Sequence, residues 1–439
     1  METIPAASSA LCYIARSLSS REPSAGFEVS MDLSGKHILL GMTGGIACYK
    51  SAELCRLLVK TGATVQVVMT EGAERFITAV TMQALSGRPV ADSQWEDGSP
   101  GRTPDGMPHI HLGREADAIV VAPCSADFIS RLAQGRTDDL LSLLCLARPT
   151  GRTPLLLAPA MNREMWAHPA LQRNLSQVQA DGAVSLGVGS GAQACGETGD
   201  GRMQEPADIL EGLISHLQPK PLAGQHVLVT AGPTFEAIDP VRGITNHSSG
   251  KMGFAVARAA AEAGAVVTLI AGPVALVTPR GVRRIDVQSG EQMLAATLAA
   301  ADAATVFIAA AAVADWRPAE PSDRKIKKTA DGRPPTLTFV ENQDILALVA
   351  QGPRARSGEL YCVGFAAESH DLLANATAKR KRKGIPLLVA NIGPTAFGRD
   401  DNELLLVDAN GAQSLERAPK LVLARKLVAE IARRMRCKS

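Results

Sequence analysis

The sequence predicts an α/β protein with two three-layer domains, each a mainly parallel sheet covered on both faces by helices. Three observations carry this expectation. Short aliphatic runs alternate with helix-length stretches along most of the chain, the pattern of repeated strand–helix–strand units. At 439 residues the chain exceeds one ordinary core. The proline-bracketed segment Gln218-Pro-Lys-Pro-Leu-Ala-Gly224 divides it near the middle, and the alternation begins again after it.

Residues 1–35 mix Ser, Ala, Glu and Arg without period and are expected to be a disordered extension. Leu11–Ala15 is too short an apolar core for a secretory signal, and Glu2, Glu22 and Glu28 count against a transit peptide. Met31 alternatively marks the natural start. The first domain is expected over 36–217, with strands at His37–Leu40, Thr64–Met69, Ala118–Ala122 and Leu155–Ala158. Its helices are expected at Ile46–Lys60, Ala73–Leu85, Ala126–Ala133, Asp139–Ala147 and Ile209–Leu217. A linker follows over 218–224, and the second domain over 225–439. Its strands are expected at Val227–Thr230, Val266–Ile270, Arg284–Val287, Val306–Ala309, Tyr361–Phe365 and Leu387–Ala390. Helices are expected at Gly253–Ala263, Glu291–Ala301, Leu372–Lys383 and Lys420–Met435. From Trp316 to Pro335 the chain turns polar and basic, as a mobile loop would.

Composition removes several function classes. The chain is 46% hydrophobic and 21% charged, in the globular range. A net charge of +2 gives no electrostatic case for nucleic acid or an anionic membrane, and 3% aromatic content argues against base stacking. No apolar run reaches bilayer-spanning length. The eight cysteines, at 12, 48, 55, 124, 145, 195, 362 and 437, form no CxxC pair and no zinc spacing. They read as reduced thiols of a soluble cytoplasmic protein, most of them buried.

Val241-Arg-Gly-Ile-Thr-Asn-His-Ser-Ser-Gly-Lys-Met-Gly253 follows the strand Val227–Ala231 and leads into a helix. Polar glycine-rich turns at strand ends are where α/β sheets bind ligands, and the basic side chains, hydroxyls and helix-opening amides suit an anion. A solvated loop is the plainer alternative. A second cluster lies in the first half. Gly41-Met-Thr-Gly-Gly-Ile46 is not a GxGxxG fingerprint, but Thr43 and the amides of Gly44 and Gly45 could hold one phosphate. Ser125, in Ala122-Pro-Cys-Ser-Ala-Asp127, is either a ligand contact or a helix N-cap. Asn162 is pinned between apolar neighbours, Cys195 sits in the glycine-rich stretch Gly187–Met203, and His109 is one of few histidines. Each has a structural explanation alone; together they provide a base, an amide, a thiol acid and a phosphate turn.

These motifs, with His109-Ile-His-Leu-Gly113, Pro159-Ala-Met-Asn-Arg-Glu-Met-Trp166 and Ala194-Cys-Gly-Glu-Thr-Gly-Asp-Gly-Arg-Met203, resemble flavin-containing cysteine decarboxylases in their order. The second half resembles phosphopantothenate–cysteine ligase through Thr230-Ala-Gly-Pro-Thr234, Asp239 to Gly253, Ala310-Ala-Ala-Val-Ala-Asp-Trp-Arg-Pro318, Lys325-Ile-Lys-Lys328 and Gly364-Phe-Ala-Ala-Glu368. Residues 36–436 are therefore similar to the bifunctional phosphopantothenoylcysteine decarboxylase / phosphopantothenate–cysteine ligase family of coenzyme A biosynthesis.

The resemblance implies a flavodoxin-like or Rossmann-like flavoprotein domain followed by a Rossmann-like ligase domain. It implies FMN as cofactor, Mg²⁺ with CTP as co-substrate, and 4′-phosphopantothenate and cysteine as substrates, joined through an acyl-cytidylate. It also implies a homo-oligomer, with trimeric decarboxylase assemblies and paired ligase domains. In the first domain it makes His109 a base for an oxidative half-reaction, Asn162 the holder of the substrate carboxylate and Cys195 the proton donor of a reductive half. Thr43, Gly44 and Ser125 become FMN contacts. In the second it makes Asn246 a contact of the acyl-cytidylate, Arg242 its neighbour and Lys325 a phosphate-closing lysine. Asp315, Gln343, Asp344, Ile345, Leu346, Phe365, Lys379 and Lys383 match nucleotide-contacting positions, although Phe235 and Gln343 stand where relatives carry arginine and proline. Without the family match, Lys379-Arg-Lys-Arg-Lys383 reads as a solvated helix face. Competing readings are a flavin-binding regulatory subunit without decarboxylation, another transformation on the same flavoprotein fold, and a scaffold of two nucleotide-binding-like domains.

Overall fold

His37–Met42 (β1), Thr64–Met69 (β2), Ala118–Cys124 (β3), Leu155–Pro159 (β4) and Ala183–Ser185 (β5) form one sheet in the order β2-β1-β3-β4-β5. Every pair in it is parallel. The strands are rich in Val, Ile and Leu, and β3 and β4 are buried along their whole length, as helices on both faces demand. This is the flavodoxin-like order, whose switch point lies between β1 and β3. In the computed structural model, which describes residues 33–93, 107–327, 336–368, 370–392 and 398–436, the chain divides into Met1–Ile214 and Ser215–Ser439. The expected extension lies, up to residue 32, outside the described residues.

Several local expectations for this unit are corrected. The helix expected across Ala73–Leu85 is two, Glu71–Glu74 and Ala79–Ser86, each begun by its own threonine. Thr70 and Thr78 accept from the amides of Ala73 and Thr81, and such a side-chain cap ends one helix by starting another. His109 lies in a helix, Pro108–Glu115, with proline in its first turn. The glycine-rich stretch Gly187–Met203 around Cys195 holds an antiparallel hairpin that the sequence reading did not give strands, Val188–Ala192 (β6) and Thr198–Met203 (β7). Helices Arg163–Ala167 and Pro169–Ala180 were not anticipated.

The second unit contains His226–Ala231 (β8), Phe235–Ala237 (β9), Gly243–Thr245 (β10), Val266–Ala271 (β11), Val282–Asp286 (β12), Val306–Ala309 (β13), Trp316–Pro318 (β14), Phe339–Glu341 (β15), Tyr361–Glu368 (β16), Leu387–Ile392 (β17), Asp401–Val407 (β18) and Ala412–Pro419 (β19). Its main sheet has eight strands in the order β12-β11-β8-β13-β16-β17-β18-β19. The first six are parallel, in the Rossmann order with its switch point between β8 and β13. Strands β18 and β19 add an antiparallel edge that the periodicity did not reveal. The charges of β19 explain why: Ala412–Pro419 is mostly exposed, so it lacks the continuous apolar run of a covered strand. The stretch read as a mobile loop from Trp316 holds β14 at its start, paired with β15; residues 328–335 within it lie outside the described set.

The segment read as a linker is docked onto the second unit. Leu222 is buried in its core, its amide donates to Ala263 O at 3.0 Å, and Lys220 Nζ donates to Glu262 O at 2.7 Å. One buried leucine contributes roughly 1.5–3 kcal/mol, enough to override the local preference of a proline-flanked segment to stay extended. Among the described residues, no helix is long and apolar enough to cross a membrane.

Candidate functional site

The turns after β1 and β3 meet at the first switch point through Thr43. Its buried hydroxyl donates to Pro123 O at 2.8 Å and accepts from the Ser125 amide at 2.9 Å. Both bonds tie strand ends together, so the hydroxyl shapes the turn. The ligand-facing groups there are backbone: the N–H groups of Gly44 and Gly45 donate to no group among the described residues. A Cβ on Gly44 would stand 3.0 Å from Gly72 O, so a side chain would push the turn away from its neighbour. Unpartnered amides after a strand, with a helix opening at Cys48, fit a phosphate. Ser125 caps the helix Ala126–Gln134, its Oγ accepting from Phe128 N at 3.2 Å. Of the two alternatives for Ser125, the structure shows the N-cap; a hydroxyl that accepts in this way keeps its own proton to donate.

The β6–β7 hairpin brings Cys195 to Asn162. Lys50, almost fully buried, holds the hairpin base through Met203 O at 3.2 Å and Glu205 at 2.6 Å. Gly201, with φ of +123°, lets β7 lie against residue 161: Met161 N donates to Gly201 O at 2.9 Å, and a Cβ there would stand 2.6 Å from Met161 O. At the tip, Asn162 Nδ2 donates to Cys195 Sγ at 3.4 Å and to the Glu197 carboxylate, while Sγ lies 3.5 Å from the same carboxylate. Asn162 Oδ1 accepts from Glu164 N at 2.8 Å, capping Arg163–Ala167. Glu197 escaped the sequence reading; its position two residues beyond the cysteine was the available signal. His109 is half-buried on its own helix and shares no hydrogen bond with Asn162 or Cys195 among the described residues.

Cys195 is exposed, whereas Cys48, Cys55, Cys124, Cys145 and Cys362 are buried. Burial pushes the thiols of Cys48 and Cys55 up to about 11, those of Cys145 and Cys362 up to about 12, and Cys124 well above its usual value. Iodoacetamide at neutral pH should therefore alkylate Cys195 and spare those five, as peptide mass mapping of the native protein will show. Modification of any of the five at a similar rate would contradict their burial.

In the second unit a cleft of about 360 Å³ opens where β8, β13 and β16 end. Asp315, Gln343, Asp344, Ile345, Leu346, Phe365, Lys379 and Lys383 all line it, on the loop after β13, the start of helix Ile345–Gln351, β16 and helix Leu372–Lys383. The basic face is thus folded onto the cleft. Lys383 Nζ lies 2.8 Å from Asp344 Oδ2, and Lys379 lies 3.7 Å from Glu368. Burial would raise the Asp344 pKa, but the Lys383 ammonium and the Ala347 amide overcome it and hold the carboxyl below its usual range.

The cleft also contains residues the sequence reading did not assign. Lys251 opens the helix Lys251–Glu262 beside Ser248 and Ser249, and its Nζ contacts Asp400 at 2.6 Å. Lys420 is buried in the same wall, and burial together with Lys251 lowers its pKa. Lys251 was visible in the glycine-rich stretch; Lys420 opens an ordinary amphipathic helix, Lys420–Arg436, and carried no signal. The Asn246 amide is pinned to the wall, donating to Ala312 O and accepting from Ser248 N at 3.1 Å.

Arg242 and Lys325 are not in the cleft wall. Arg242 is joined instead to Ile326, the residue after Lys325, by Asp239, whose side chain is inaccessible. Its Oδ1 accepts from the amides of Val241 (2.8 Å) and Arg242 (2.9 Å), and its Oδ2 from Arg242 Nε (3.0 Å) and Ile326 N (3.1 Å). Arg242 Nη2 closes the ring by donating to Ile326 O at 2.7 Å. The Arg242 guanidinium, with the Val241, Ile326 and Arg242 amides and against the effect of burial, holds the Asp239 carboxyl well below the usual carboxylate range. Among the described residues, no group of three or more His, Cys, Asp or Glu is placed to hold a metal ion.

Two families match the chain: "Flavoprotein" over residues 27–218 and "DNA/pantothenate metabolism flavoprotein C-terminal domain" over residues 222–435. The Coenzyme A biosynthesis bifunctional protein CoaBC of Vibrio cholerae is 49% identical over 395 residues, which are 89% of this chain and 96% of that protein. Its namesake in Escherichia coli K12 is 44% identical over 409 residues, 92% of this chain and 98% of that protein. The namesake in Mycobacterium bovis is 44% identical over 411 residues, 90% and 95% of the two chains. With likeness of this degree running through both units, the chain belongs to the coenzyme A biosynthesis bifunctional protein CoaBC family.

Proposed function

We propose that the chain is a bifunctional enzyme of coenzyme A biosynthesis, carrying decarboxylase chemistry within 36–217 and ligase chemistry within 225–439. The observation that supports this best is the co-occurrence of a strand-end turn with unpartnered amides in the first unit and a strand-end cleft in the second, in a chain similar to relatives named as bifunctional proteins of coenzyme A biosynthesis. In the ligase unit, 4′-phosphopantothenate and CTP give an acyl-cytidylate and pyrophosphate, and the cysteine amine displaces CMP. Carboxylate activation is required because a free carboxylate is a poor acceptor for an amine. Mg²⁺ would arrive with the nucleotide, bound through its phosphates and water, and would offset charge on the triphosphate. Lys379, Lys383 and Lys251 line the cleft, and they offset charge on the triphosphate as pyrophosphate leaves. Asn246 contacts the acyl-cytidylate, with Arg242 and Lys325 approaching from the Asp239 anchor.

In the first unit the Gly44–Gly45 amides hold the FMN phosphate, with Thr43 shaping the turn and Ser125 beside it. The flavin supplies two-electron oxidation and re-reduction, without which a saturated cysteinyl carboxylate has no electron sink for loss of CO₂. His109 accepts a proton in the oxidative half, Asn162 orients the substrate carboxylate, and Cys195 donates a proton to the decarboxylated enethiolate. The hairpin that carries Cys195 covers this chemistry from water. The enzyme works in the cytoplasm as a homo-oligomer.

Purified full-length protein should be yellow, should release pyrophosphate from CTP only when phosphopantothenate is present, and should release CO₂ from phosphopantothenoylcysteine. A colourless protein that cannot be reconstituted with FMN would refute the decarboxylase half, and failure to consume CTP would refute the ligase half.

A further inference from the structure

We propose that Glu197 is a built-in competitor for the substrate's carboxylate: its own carboxylate occupies the Asn162 amide at rest and must leave when substrate binds. The inference rests on the reading of the first unit as a phosphopantothenoylcysteine decarboxylase in which Asn162 holds that group.

A side-chain amide has one acceptor and two N–H donors. Asn162 Oδ1 is committed to the Glu164 amide at 2.8 Å, and this fixes Nδ2 toward the hairpin. There Nδ2 meets Cys195 Sγ at 3.4 Å and the Glu197 carboxylate. A thiol sulfur is a weak acceptor and a carboxylate a strong one, so Glu197 is the partner that a substrate carboxylate has to replace. Two carboxylates cannot share the site cheaply, because like charges repel at this distance. The guanidinium of the neighbouring Arg163 is directed to Thr198 O at 3.2 Å and to Glu164 at 2.9 Å.

The exchange bears on product release. A ligand that has lost its carboxylate cannot hold Glu197 away, so loss of CO₂ restores the Glu197–Asn162 contact and favours release. Glu197 is thus a positioning and specificity residue.

The test uses full-length, FMN-loaded protein carrying His109→Gln to prevent turnover. Phosphopantothenoylcysteine and 4′-phosphopantetheine, which lacks the carboxylate, are each titrated by the change in flavin absorbance. Adding Glu197→Ala should tighten the first ligand by about tenfold and leave the second unchanged, with Glu197→Gln in between. In an otherwise natural chain, Glu197→Ala should lower KM and also lower kcat, a split that simple loss of structure does not produce. Retained flavin binding reports that the unit is folded. Unchanged or weaker binding of the carboxylate ligand, or equal tightening of both, overturns the proposal. Failure of the parent reading looks different: the natural chain itself would release no CO₂, and the role of Glu197 would fall with it.

Discussion

Cys195→Ser should lower the formation of 4′-phosphopantetheine by about a thousandfold, within the range set by removing a positioned general acid. A serine hydroxyl fits the same place and can accept from Asn162 Nδ2, so the hairpin and its contact with the neighbouring loop should survive. What is lost is acidity, since an alcohol gives up its proton far less readily than a thiol. CO₂ release in a single turnover should continue at close to the natural rate, because that step precedes the proton donation assigned to Cys195. Rapid-quench measurement of CO₂ beside chromatographic measurement of product separates the two. Equal loss of both would place Cys195 in the earlier half, and undiminished product would remove it from the chemistry.

The second large effect is expected at Asp239. Asp239→Asn replaces a buried carboxylate, which accepts from Arg242 and from three backbone amides, by a neutral amide that is partly a donor. The Ile326 amide and the Arg242 guanidinium both lose a charged partner, and Lys325 is the residue next to that anchor. Misplacing a phosphate-binding lysine by about 1 Å can cost on the order of a hundredfold. The ligase kcat/KM should fall by that order, while decarboxylation of supplied phosphopantothenoylcysteine, carried out in the other unit, should be unchanged. Coupled pyrophosphate release and CO₂ release on the same preparation measure the two together. Ligase activity within twofold of the natural protein would show that the anchor does not position Lys325.

Periodicity alone located the parallel strands of both sheets apart from the three-residue edge strand β5, because a strand covered on two faces must be apolar along its length. Thr64–Met69 and Val306–Ala309 have the bounds the aliphatic runs imply, and Leu372–Lys383 has those of its helical stretch. Where an element is half exposed the pattern fails. The β6–β7 hairpin is rich in Gly with Ser, Thr and Asp, and β19 mixes Gln, Ser, Glu and Arg among its apolar residues, so neither presents a continuous apolar run. The Ala73–Leu85 helix was drawn too long because helical propensity does not register a threonine cap that interrupts it.

The sequence by itself determined the fold class, the order of the strand-end turns, the family, and the residue types available to each site. Tertiary structure decided which of those residues meet. Asn162 reaches Cys195 across 33 positions, Asp239 reaches Ile326 across 87, and Lys251 reaches Asp400 across 149. No local propensity encodes such pairs. They arise because strands that are distant in the chain lie side by side in one sheet, and closing those loops is compensated only by the burial of the whole core.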